Sequence, residues 1–231
     1  MRVVEDTLGF DHLRRYLLVM HEENGNSRPR AVPPLLRSTD SLAYSRKGPF
    51  ALVAMREYIG REKVDDALRR LFEKHHSGAP PLPTSLDLYR ELQAVTPDQF
   101  QSLLHDLFEK NTFWDLETER ATSQQTAAGT WQVTLNVRAR KVVVDETGIE
   151  TEAPMNDLVQ IGVFGAPEKD DKDDKGEESP KTLYMQLHRI RSGSQTITVT
   201  APSKPTGAGI DPNNLLADRD PNDNIKNVIN R

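Results

Sequence analysis

Cysteine is absent from all 231 residues, which excludes disulfides and thiolate metal sites and leaves the redox compartment undetermined. Missing too is any apolar run approaching the ~20 residues that a membrane helix needs. The first residues, Met1-Arg2-Val3-Val4-Glu5-Asp6, make no signal peptide, because Glu5 and Asp6 interrupt any apolar stretch. The chain as written therefore reads as soluble. There is no excess of basic charge: 30 Lys and Arg stand against 35 Asp and Glu, a net charge of −5. That balance gives no support for nucleic-acid binding, which wants a basic stripe. No phosphate loop, dinucleotide fingerprint or Ser-His-Asp set appears.

What is present has the proportions of an ordinary folded protein, 36% hydrophobic and 28% charged, long enough for one large or two small domains. Up to about residue 113 the apolar period is helical. Leu13, Leu17, Leu18 and Met20 predict a first helix over about 10–23, and Phe50, Val53, Ala54, Tyr58 and Ile59 a second, stopped at Gly60. Val64, Leu68, Leu71 and Phe72 predict the buried stripe of a third over about 61–76. Thr84 or Ser85 is the expected cap of a fourth, and Thr96-Pro97-Asp98-Gln99 the expected start of a fifth. From Trp114 the period becomes two, with strands expected over 114–119, 131–139, 142–144, 158–164, 183–187 and 195–199. The expectation is an α+β fold: a helical half, 1–113, then an antiparallel β-sandwich, 114–212, then an irregular tail, 213–231. Glu168 to Pro180 is acidic and lysine-rich with nothing apolar to bury, so it reads as a disordered loop. Its aspartates lack the spacing of a calcium loop.

The chain is organised around Tyr44-Ser45-Arg46-Lys47-Gly48-Pro49-Phe50, a polar turn running into the second helix. This stretch resembles the Tyr-x-Lys-Gly turn and helix of the membrane alanyl aminopeptidase family of zinc metallopeptidases (gluzincins), above all members fused to ABC transporter permeases. Here Tyr44 precedes Lys47 by three residues rather than two, and Ser45 occupies the family's tyrosine position. Ile210-Asp211-Pro212 and Asp223-Asn224 resemble the segments that close the β region in the same relatives. The resemblance implies that residues 1–113 are the end of a thermolysin-like catalytic domain and that Tyr44 is the catalytic candidate. Its hydroxyl would stabilise the oxyanion formed when zinc-bound water attacks a peptide carbonyl. It further implies that the zinc ligands, the general base and the motif recognising the substrate's N-terminus lie before Met1. Peptide substrate, zinc, and association with that missing part or with a membrane permease then belong to the intact parent. In that case this chain alone is inactive and binds no catalytic metal, and a longer parent could be membrane-tethered.

The histidines offer no alternative centre. His21-Glu22-Glu23-Asn24 begins like a His-Glu-x-x-His zinc motif, but Gly25 stands where the second histidine is required. His75 and His76 are adjacent, diverge on a helix, and suit its C-terminus. His105 and His188 have no partner visible in sequence. Apart from the peptidase reading stand a non-catalytic interaction module, built on the sandwich or the acidic loop, and a truncated, non-functional relative.

Overall fold

The computed structural model describes residues 6–24, 33–39, 47–169 and 178–230. The fold is α+β, with helices in the N-terminal half and antiparallel sheets in the C-terminal half. Among the described residues, 6–8 are helical, and five longer helices come next: α1 (Phe10–Asn24), α2 (Gly48–Ile59), α3 (Arg61–His75), α4 (Ser85–Val95) and α5 (Gln101–Phe108). Single 3-10 turns at Leu35–Arg37 and Asp98–Phe100 join them. Nine strands follow among the described residues: β1 (Thr112–Gln125), β2 (Trp131–Val144), β3 (Glu150–Ala153), β4 (Asn156–Lys169), β5 (Glu178–Arg191), β6 (Gly193–Ala201), β7 (Gly207–Ile210), β8 (Ile225–Asn227) and β9 (Ile229–Asn230). Among the described residues no helix is long and apolar enough to cross a membrane.

Local chemistry explains the helix boundaries. Gly60, at φ +97°, separates α2 from α3 in a backbone region that side chains disfavour. Thr84 opens α4 with a capping box: its backbone N–H and its hydroxyl both donate to Asp87, at 2.8 and 2.7 Å. Thr96 does not cap the next helix as its sequence suggests. Its hydroxyl turns back to the Leu92 carbonyl at 2.7 Å and closes α4, and α5 is reached through the 3-10 turn. On α3 the stripe is narrower than the periodicity predicts. Val64 and Ala67 are buried, Leu71 is half-buried, and Leu68 and Phe72 are exposed, Phe72 by 70%.

One sheet runs β3-β2-β1-β9, with β6 sharing the free edge of β2 beside β3; the other runs β5-β4-β7-β8. Inward residues alternate along each strand: Val133, Leu135, Val137 and Ala139 on β2, Ile197, Val199 and Ala201 on β6, and Val159, Ile161 and Val163 on β4. A bulge between Thr118 and Arg120 flips the parity of β1, so Leu116 and Thr118 are buried before it and Ala121 and Ser123 after it. Both sheets and the helices share one buried cluster, from Leu13 to Val228.

Two expectations change. The tail is not irregular throughout, because β8 pairs with β7 and β9 pairs in parallel with β1. The acidic stretch is strand at both ends: Glu168 pairs with Ser179 and Lys169 with Glu178. Residues 170–177 lie outside the described part of the chain.

Candidate functional site

Lys47 and the start of α2 sit where the helical and β halves meet. Lys47 occupies the position before the first helical residue, and Pro49 near the start fits a site with no partner for its missing N–H. The Lys47 side chain reaches across the junction. Its ammonium donates to the Asn111 amide oxygen and lies 4.8 Å from the centroid of the Phe113 ring. Burial lowers this amine to about 8. A cavity of about 40 Å³ opens beside it, bounded by the first turn of α2, by Leu35, and by α5 and the start of β1. A shallower depression of about 370 Å³ adjoins it, sharing Lys110 and Asn111 and rimmed by an Arg37–Glu146 ion pair at 3.1 Å.

Below the cavity lies a buried ion cluster. Lys141 of β2 donates to Asp106 of α5 at 2.8 Å and to Asp157 of β4 at 3.1 Å. The Trp114 indole N–H also donates to Asp157, at 3.1 Å. Burial is the largest single influence on Lys141 and works to lower its pKa, but the bonds and charges of Asp106 and Asp157 outweigh it and the net direction is upward. Lys141 thus stays charged and holds α5, β2 and β4 together.

The third element is the chain after β7. Asp211 is fully buried, at φ +40°, and accepts the backbone N–H groups of Leu215 at 3.1 Å and Leu216 at 2.9 Å. Asp218, also fully buried, accepts from the N–H of Leu116 at 3.3 Å. Burial raises both carboxyls, Asp211 to about 6 even though the two N–H groups pull it down. The Thr118 hydroxyl closes the loop by donating to the Asn224 carbonyl at 2.7 Å. Tyr58 of α2 is buried near this region. Its hydroxyl has no hydrogen-bond partner among the described residues, and burial, then Asp211 and Asp157, push its pKa well up.

No family model matches the chain, and no curated protein matches it in sequence.

Tyr44, the sequence-derived catalytic candidate, lies outside the described residues, and so do the side chains of His21 and Glu22 at the end of α1. Three of the other histidines are engaged locally. His76 lies 2.8 Å from the Glu73 carbonyl at the end of α3, the helix-terminus role expected of it. His105 pairs with Glu109 at 3.0 Å, and His188 meets the Tyr184 hydroxyl at 2.7 Å. Among the described residues no three His, Asp or Glu side chains form a group that could hold a metal ion.

Sequence reasoning missed Asp106, Asn111, Lys141 and Asp157. For Lys141 the signal was there: it has the inward parity of Val137 and Ala139, where a lysine is buried only if paired. Asp106 and Asp157 carry no such mark.

Proposed function

We propose that this chain forms the closing helices of a gluzincin catalytic domain and the β domain behind it, in a zinc aminopeptidase that hydrolyses peptide bonds. The supporting observation is the anchoring of Lys47. The lysine of the Tyr-x-Lys-Gly-like turn is tied to Asn111 and Phe113, so α2 starts from a fixed point at the junction of the two halves. The resemblance assigns oxyanion stabilisation to a hydroxyl donor of this turn. Tyr44 supplies that donor, while the metal and the base come from elsewhere in the peptidase. The buried Asp211 adds support, since it sits in the Ile210-Asp211-Pro212 segment that resembles one of the family's closing motifs.

The test has two steps. The DNA directly upstream of the first codon is read for an in-frame His-Glu-x-x-His stretch; an intact unrelated gene with its own stop codon counts against the proposal. In the protein carrying that stretch, Tyr44→Phe is expected to lower kcat on aminoacyl-anilides by about 10²–10³ with little change in KM. Unchanged kcat removes Tyr44 from the chemistry.

A second reading, a non-catalytic interaction module, draws on the exposed Leu68 and Phe72, which share one face of α3, with Leu82 and Leu86 exposed close by in sequence. A pull-down that survives Tyr44→Phe and is lost on Phe72→Ser would favour it.

A further inference from the structure

The cavity beside Lys47 holds more donor chemistry than the chain uses. Among the described residues Lys47 meets only an amide oxygen and a ring face, and no carboxylate pairs with it. The first turn of α2 lines the cavity with Phe50 and Ala51, so the positive end of a 12-residue helix points there, and Lys47 provides no side-chain cap for it. Thr112 lines the opposite side. It is 6% exposed, and its hydroxyl has no hydrogen-bond partner among the described residues, an unfavourable arrangement unless something accepts or donates there. Asp106 also lines the cavity, but its charge is taken by Lys141 at 2.8 Å and Lys110 at 3.5 Å. Counting Lys47, Lys110 and Lys141 against Asp106 and Asp157 leaves one positive charge over.

We infer that this cavity is a binding site for a carboxylate, with Lys47 as the counter-ion and the Thr112 hydroxyl as a donor. The volume of about 40 Å³ exceeds the ~10–15 Å³ that one water needs and suits a small planar monoanion. A single surplus charge suits a monoanion better than a phosphate dianion. A carboxylate also repairs the local electrostatics, because it restores to the buried ammonium the stabilisation that desolvation removes. The carboxylate has two possible sources, a small organic acid or the C-terminus of a peptide lying in the adjoining depression.

The test is a titration of the ¹⁵N-labelled chain at pH 7, with ionic strength held constant by sodium chloride, following the amides of Ala51, Asn111 and Thr112. Sodium acetate is expected to give saturating shifts. Thr112→Val, which keeps the shape, is expected to weaken binding about tenfold, and Lys47→Met to abolish it. Acetyl-Ala-Ala and its C-terminal amide separate the sources: tighter binding of the free acid than of acetate, with no binding of the amide, assigns the site to a peptide terminus, and equal binding assigns it to a small acid. Inorganic phosphate binding as tightly as acetate, shifts that never saturate, or Thr112→Val binding like the wild type would each overturn the inference. Should Lys47→Met fail to fold by circular dichroism, Thr112→Val decides alone.

Discussion

Asp211 shows how a buried carboxylate can be both a fastener and a liability. It holds two backbone N–H groups of the turn after β7, yet burial raises its pKa to about 6, above the ~3.9 of an unfolded chain. A folded-state pKa above the unfolded one means that the folded chain binds the proton more tightly. The stability from this group is therefore full below about pH 4 and lost as the pH rises through 6. The span corresponds to about 3 kcal/mol. Urea unfolding at several pH values checks it: the free-energy difference between the wild type and Asp211→Asn should move in favour of the wild type by about 2 kcal/mol from pH 7 to pH 4. A difference that is flat across that range would mean that Asp211 is ionised over the whole of it.

Among the elements, the crossing of β7 and β8 is the tightest. A methyl group added at Gly209 would stand 2.1 Å from the Asn224 carbonyl oxygen and 2.8 Å from the Ile225 Cα, both backbone atoms that cannot swing aside. Gly209→Ala should therefore destabilise by about 1–3 kcal/mol or more, seen as a lower urea midpoint. A midpoint within error of the wild type would show that β8 shifts freely. Nothing in Gly207-Ala208-Gly209-Ile210 announces a strand, because its partners are distant in sequence and glycine is a poor strand former. The same holds for β3, β8 and β9, which are short and owe their existence to β2, β7 and β1. By contrast, the switch from helical to two-residue period near Phe113 was legible, and β1 begins at Thr112. The stripe of α3 was over-read: Phe72 has the spacing of a core residue, but none of the described elements covers it. At the candidate site the start of α2 was legible, while the Asp106–Lys141–Asp157 cluster depends on three elements meeting and only the parity of Lys141 hinted at it.

For the molecule as a whole, the two halves are one cooperative body. A single cluster of buried side chains includes Leu13 and Leu17 of α1, Phe50 and Tyr58 of α2, and the inward residues of both sheets. The Lys141 pairs add a polar tie across the same junction. Calorimetry should show one unfolding peak whose calorimetric and van't Hoff enthalpies agree. Two resolved peaks would mean that the helical half unfolds apart from the sheets. The last strands also set a timetable for biosynthesis. While the ribosome still holds residues 225–230, β7 lacks β8 and β1 lacks β9, so both sheets present open edges. Closure waits until residues 225–230 have emerged, and in that interval these two edges are where a neighbouring nascent chain could pair and where a chaperone has most to shield.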